Sequence, residues 1–153
     1  MTSTQQGSFT IRRTFDAAPA RVFKAFADID AKTKWFAAPN GEWEQLERTF
    51  DFREGGKERL RGRWASGMIT DFDCTYYDIV PDKRIVYCYE MHQNQNKISV
   101  SLATLEFQAA GKGTAFTLTE HGAFLDGYDD AGKREHGTGL LMDQLAKSLE
   151  NQS

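Results

Sequence analysis

The chain is poor in the residues that mark several function classes. Its two cysteines, Cys74 and Cys88, lie in apolar strand-like runs without CxxC spacing, which speaks for buried free thiols over a disulfide, a zinc ribbon or a redox dithiol. Three histidines form no HExxH pattern, and His121 and His136 are far apart with no cysteine nearby, so a metal centre is not expected. Charge of one sign is also scarce: 19 basic against 22 acidic residues leave a net −3, giving no electrostatic reason to approach a nucleic acid or an anionic membrane. The longest uninterrupted apolar run is Ile85–Tyr89, far short of the roughly 20 residues a span requires. The N-terminal MTSTQQGS has neither the basic start nor the apolar segment of a signal peptide, so a cytoplasmic location is expected.

What is present is ordinary for a globular protein, with 40% hydrophobic and 27% charged residues over 153 positions. That length suits one domain, 1–153, burying roughly 70% of its unfolded surface. The polar ends 1–8 and 150–153 are expected to be flexible tails.

Phe9, Ile11 and Thr14–Phe15 mark a short first strand. Ala18-Pro19 then opens a helix with Val22, Phe23 and Phe26 at helical spacing, proline suiting a first turn whose N–H would be unpaired anyway. Asp30 is placed to cap a second short helix through Trp35 and Phe36, ended by Pro39-Asn40-Gly41. From Glu42 to His121 the period becomes two, with turn signals at Glu54-Gly55-Gly56, Ser66-Gly67, Pro81-Asp82, Gln93–Asn96 and Gly111–Gly113, predicting six strands in an antiparallel meander. If Glu54-Gly55-Gly56 is a three-residue hairpin loop, Phe50 faces Leu60 and Leu46 faces Trp64, while Asp51 meets Arg59 and Glu47 meets Arg63. The basic stripe Lys57, Arg59, Arg61, Arg63 is then a solvated face paired with acids. A final helix repeats Leu141, Leu145 and Leu149, with Gly137 one turn earlier on the same stripe. The order predicts an α+β helix-grip fold: a curved antiparallel sheet of about seven strands, two short helices after the first strand, and a long C-terminal helix packed across the sheet.

The stretch HGAFLDGYDDAGKREHGTG (121–139) looks rich in chemistry, but Tyr128, Ala131 and Gly137 occupy the third, sixth and twelfth places of a calcium loop counted from Asp126, which excludes one. It reads as a loop leading into the last helix, with Asp129 or Asp130 as cap. Gly137 and Gly139 each cost roughly 1 kcal/mol in that helix. Two accounts remain open for them: close approach of helix to sheet, or volume left for a ligand.

Alternation places Phe116, Leu118 and Glu120 on one inward face and turns His121 outward. A carboxyl closing an apolar stripe either sits at the solvated rim near Gly122 or is buried as an acceptor or general base with a raised proton affinity. Asp71 and Asp73 define an outer face, which sends Met68, Phe72, Cys74 and Tyr76 inward, and Ile85, Tyr87, Tyr89 and Met91 share a face of the next strand. With Trp35, Phe52, Trp64 and Phe124 these form core or line a cavity, and a buried tyrosine hydroxyl requires a partner. His92 is placed in the polar turn and exposed. No Ser-His-Asp order, phosphate loop or Cys-His pair has a usable spacing.

The segments FDAAPARVFKAFAD, FDFREGGKERLRG, DIVPDKRIVYCYE, TAFTLTEHGAF and GTGLLMDQLAKSL resemble the SRPBCC (START-like, birch-pollen-allergen-like) superfamily. Within it they resemble the branch similar to the C-terminal domain of the activator of the 90-kDa heat-shock protein ATPase. The resemblance implies a cavity between sheet and last helix that takes lipids, polyketides, hormones or aromatic compounds, in some members with cyclisation or hydrolysis inside it. It supports Glu120 as a pocket position, because relatives carry Glu or His in a similar stretch. Many relatives place tryptophan two residues after the position matching Thr138, where this chain has Leu140, which implies a reshaped cavity mouth. The co-chaperone's separate N-terminal domain has no counterpart here, so activation of the heat-shock ATPase is not implied.

The expected function is therefore binding of a small hydrophobic or amphipathic molecule, without cofactor, metal, nucleic acid or membrane, by a monomer or homodimer. The ligand-binding candidates are Trp35, Phe52, Trp64, Phe72, Tyr76, Tyr87, Tyr89, Phe116, Leu118, Glu120, Phe124, Gly137 and Leu141. The alternatives are a cofactor-free cyclase- or hydrolase-like enzyme with Glu120 as its candidate catalytic group, and a co-chaperone-like interaction domain.

Overall fold

The structure, a computed structural model, describes residues 2–38 and 41–150. Strand β1 (Thr4–Phe15) is followed by helices α1 (Pro19–Ala27) and α2 (Ile29–Thr33). Strands β2 (Trp43–Phe50), β3 (Lys57–Trp64), β4 (Ile69–Val80), β5 (Arg84–Gln93), β6 (Asn96–Ala110) and β7 (Gly113–Leu125) come next, and then the long helix α3 (Ala131–Glu150). The strands form one curved antiparallel sheet in the order β1-β7-β6-β5-β4-β3-β2. Consecutive strands are neighbours except β1, which joins β7, so α1 and α2 carry the chain from one edge of the sheet to the other. Register shifts in β2, β4 and β5 add local twist, which helps the sheet curve.

Pro19 starts α1, and Val22, Phe23, Ala25 and Phe26 bury its inner face. There Phe26 stacks on Phe116 at 5.7 Å and meets the edges of Trp35 and Phe107. The Trp35 indole donates to the Ala25 carbonyl at 2.9 Å, fixing the segment after α2 onto α1. Helix α3 buries Met142, Leu145 and Leu149, and Arg21 of α1 holds its last turn through the Leu149 carbonyl. Close approach of α3 to the sheet occurs at Gly7, where a Cβ would stand 2.6 Å from that of Ala131.

Several local expectations are corrected. The tail expected over 1–8 is in fact strand from Thr4 onward, Thr4 pairing with Leu125, because one side of that polar stretch is covered by α3. Residues 151–153 and Met1 lie outside the described residues, as do Pro39 and Asn40 of the expected helix stop. The cap of α2 is Asp28, whose carboxylate accepts from Ala31 N at 3.0 Å, rather than Asp30. In the first hairpin Phe50 opposes Glu58, Arg48 opposes Leu60 and Trp43 opposes Trp64, a register other than the expected one. The loop is wider than three residues: Asp51 N donates to the Lys57 carbonyl, and Gly55 and Gly56 exchange backbone bonds with Tyr76. The bonds to β4 set the hairpin's register, not the turn alone. His92 lies in β5, half-buried, 3.4 Å from Glu90, and the turn beyond it holds Asn94 and Gln95 at positive φ.

Of the charged stripe of β3, Arg59, Arg61 and Arg63 lie on the outer face paired with acids, with changed partners. Arg59 sits among Glu47, Asp71 and Asp73, and Arg63 beside Glu44. Cys74 faces the core while Cys88 points to the outer face, and both are free thiols. Burial pushes the Cys74 thiol up to about 12, which leaves it unreactive near neutrality.

Candidate functional site

Between the inner face of the sheet and α3 lies a cavity of about 460 Å³, bounded below by the segment after α2. All three tryptophans of the chain, Trp35, Trp43 and Trp64, stand on its wall. The Trp43 indole lies flat over Gly62, where a Cβ would meet it at 2.0 Å, so β3 carries glycine there to seat it. Leu140, 51% exposed, stands at the mouth.

Gly137 decides between the two accounts of the helix glycines. Gly137 is exposed at the cavity's edge, and a Cβ added there meets nothing within 4 Å, so the glycine is not there to admit the sheet.

The strand alternation carries Glu120 inward beyond Phe116 and Leu118, and β7 continues through Gly122 to Leu125, so no turn follows it. Only 3% exposed, Glu120 accepts through Oε2 from the Tyr89 hydroxyl at 2.7 Å. That hydroxyl accepts in turn from Arg134 Nη1 at 2.9 Å, and Arg134 Nη2 donates to Ser99 at 2.8 Å and to Asp129 at 2.9 Å. The guanidinium also lies over the rings of Phe124 and Tyr89, at 5.3 and 5.6 Å. Burial raises the Glu120 carboxyl above its ordinary value, the Tyr89 hydrogen bond and the Arg134 charge pulling it partly back. Burial and the neighbouring Glu120 hold the Tyr89 phenol protonated. The result is an ordered donor chain, arginine to tyrosine to carboxyl, ending on the cavity wall.

A second polar group reaches the same cavity. Lys32, 6% exposed, turns inward from α2 and donates to Glu58 Oε1 at 2.6 Å and to the Tyr76 hydroxyl at 3.3 Å, while that hydroxyl donates to the same Glu58 oxygen at 2.5 Å. The ammonium is flanked by the rings of Phe36 and Phe50.

Of the residues singled out from the sequence, Trp35, Trp64, Phe72, Tyr87, Tyr89, Leu118, Glu120, Gly137 and Leu141 stand on the cavity wall. Phe52, Tyr76, Phe116 and Phe124 do not. Phe52 and Tyr76 pack edge to face at 4.9 Å, Phe116 is enclosed by Phe15, Phe26 and Phe107, and Phe124 lies beneath Arg134, so each side chain is consumed by core contacts. Met68, half-buried, is likewise off the wall. His121 and His136 are exposed, and neither belongs to the wall.

Sequence reasoning missed Lys32, Glu58 and Arg134. The signals existed. Glu58 shares strand parity with the inward Leu60, Lys32 precedes Trp35 and Phe36 at helical spacing, and Arg134 extends the Thr138, Leu141, Leu145 stripe back by one turn. Asp130 caps α3, accepting from Lys133 N at 2.8 Å, which is one of the two readings of the loop. Among the described residues no three of His, Cys, Asp and Glu are grouped to hold a metal ion, and no helix is long and apolar enough to cross a membrane.

The family described as activator of Hsp90 ATPase homolog 1-like protein matches residues 16–150. No curated protein matches the chain. Among solved structures, a protein from Rhizobium leguminosarum is 41% identical, with 99% of each chain covered and a TM-score of 0.93. One from Rhizobium loti is 42% identical over 95% of this chain and 99% of its own, with a TM-score of 0.88. An activator-homologue-like protein from Aeromonas hydrophila, 17% identical over 94% of this chain and 92% of its own, shares the fold with a TM-score of 0.70. With the sheet, the grip of α3 and the match over most of its length in agreement, the chain belongs to the activator of Hsp90 ATPase homolog 1-like family of the SRPBCC superfamily.

Proposed function

We propose that this protein binds a small hydrophobic or amphipathic molecule in the cavity between its sheet and α3. The observation that carries the reading is the cavity of about 460 Å³ between the sheet and α3, walled by aromatic and aliphatic side chains and entered by few polar groups. Cavities of roughly 300–1,000 Å³ with mostly apolar walls and a few placed polar atoms are the common form of small-molecule sites.

The test is a thermal-shift screen of the purified chain against fatty acids, lipids and aromatic polyketide-like compounds, repeated on Gly137→Leu. A ligand at about 100 times its dissociation constant adds roughly 2.7 kcal/mol to stability. The expected result is a compound class that raises the melting temperature of the wild type and not of the filled variant. A class that stabilises both equally binds elsewhere, and no stabilisation by any class removes the reading.

A second reading is a cofactor-free cyclase- or hydrolase-like reaction in the same cavity, favoured by the Tyr89–Glu120 hydrogen bond and the raised Glu120 carboxyl. It requires that Glu120→Gln abolish turnover of a bound compound while leaving its affinity within a few-fold.

A further inference from the structure

The cavity carries two polar centres, and the first, at Glu120, is only one end of it. Tyr76, bonded to Lys32 and Glu58, packs against Tyr87 at 5.8 Å, and Tyr87 packs against Tyr89 of the Glu120 centre at 5.9 Å. One tyrosine ring therefore separates the two. Its hydroxyl makes no hydrogen bond within the described residues.

The Lys32 pair has no clear stabilising purpose. An ion pair taken wholly out of water rarely does better than apolar residues of the same volume, because desolvation offsets the attraction. Glu58 is 1% exposed, and its Oε2 is buried without a donor. An ammonium has three N–H donors. Glu58 and Tyr76 accept two of them, and the third has only the flanking rings and the cavity that Lys32 lines. At the other centre Glu120 accepts from Tyr89 through Oε2, has the Ser101 hydroxyl beside it, and stands on the cavity wall, where its carboxyl is open to a ligand donor.

Charge restricts the ligand further. Lys32 is matched by Glu58, and Arg134 by Asp129 at 2.9 Å. An anion at Lys32 would meet the Glu58 carboxylate, and a cation at Glu120 would meet the guanidinium 3.8 Å away. Trp35, Phe72, Tyr87 and Leu118 line the same cavity with apolar surface, and the faces and edges of their aromatic rings favour a flat aromatic partner.

From this geometry we infer that the cavity selects a neutral, flat molecule that is polar at both ends, with a carbonyl oxygen accepting from Lys32 and a hydroxyl donating to Glu120. The inference rests on the cavity being the binding site and names the chemistry that site prefers. Lys32 with Glu58 and Tyr76 forms the carbonyl end, and Glu120 with Tyr89 and Arg134 the hydroxyl end.

Four probes built on one naphthalene body test it by titration calorimetry: 6-hydroxy-2-acetonaphthone, 2-acetonaphthone without the hydroxyl, 6-ethyl-2-naphthol without the carbonyl, and 6-hydroxy-2-naphthoate with a charged end. The hydroxyketone is expected to bind about tenfold more tightly than either singly polar analogue, the usual effect of one hydrogen bond to a charged group, and the naphthoate more weakly than the ketone. In Lys32→Met/Glu58→Gln, which removes both charges together, the preference for the acetyl group is lost and that for the hydroxyl kept. If all four probes bind alike, or the double variant retains the acetyl preference, the two-ended inference fails while the cavity remains a binding site. If the naphthoate binds most tightly, Lys32 is an anion site and the inference fails on charge. If no probe binds, the inference and the reading beneath it fall together.

Discussion

Glu120 is a carboxyl whose proton affinity the fold raises, and the consequence for stability has a definite sign. The unfolded chain releases that proton near 4.5, whereas burial keeps it on the folded protein to higher pH. Over the interval between the two values the folded state holds more protons, so this group's contribution to stability is fully present below 4.5 and is lost as pH rises through the folded value. Glu120→Gln keeps an acceptor for Tyr89 and carries no charge. Urea midpoints of the two proteins, measured from below 4.5 to neutrality, are expected to diverge in the variant's favour as pH rises, and a shrinking advantage would refute the assignment. Glu90, held low by Lys97, and Asp78, held low by Arg84, titrate in the opposite sense and cancel in that comparison. The Lys32 pair gives a second residue-level expectation. Lys32→Met strands a buried carboxylate and should cost about 3–5 kcal/mol, while Lys32→Met/Glu58→Gln should be near neutral or more stable than wild type; equal losses in both would show that Glu58 is not held by Lys32. The inward face of Glu120 was legible because alternation in β7 runs unbroken. The partners of Glu58 were not legible, because the loop that sets its register is tied to β4, a strand not adjacent to the loop in sequence.

At the scale of elements, α3 combines a strong start with a weak middle. Asp130 caps it, and Asp130→Ala should lower stability by about 1 kcal/mol, read as a lower urea midpoint. A Cβ at Gly137 meets nothing within 4 Å, so Gly137→Leu removes the helical cost of glycine and should raise stability by about 1 kcal/mol. A loss instead would show that the space is tighter than the Cβ geometry indicates. The pairing of gained stability with lost ligand binding separates a cavity kept for use from a packing defect. The position of the helix was legible from its leucine repeat, and so was a cap at Asp129 or Asp130, between which the structure selects Asp130. The role of Gly137 was not, because glycine serves close packing and empty space equally, and only the distance to the sheet distinguishes them. The close approach lies at Gly7, in a polar stretch whose pattern resembles a tail.

The whole molecule is joined at Phe26, where the helices that cross between the sheet's two edges meet rings from Trp35, Phe107 and Phe116. Phe26→Ala should cost about 3–5 kcal/mol. Because those rings come from distant parts of the chain, tryptophan fluorescence and far-ultraviolet dichroism should lose their signals at one shared denaturant midpoint; separate midpoints would show that the sheet and its crossover unfold independently. The sequence by itself determined the architecture. The change from helical to alternating period, the turn residues between strands and the proline and aspartate at helix starts are local signals, written within a few residues of the structure they specify. It also determined the face that Glu120 takes. Only the tertiary structure decided what meets that carboxyl and what shape the space beside it has. Lys32 and Glu58 lie 26 residues apart, and Tyr89 and Arg134 lie 45 apart. Their contacts depend on strand register and on where α3 crosses the sheet. Those are set by packing among elements, which no short window of sequence contains.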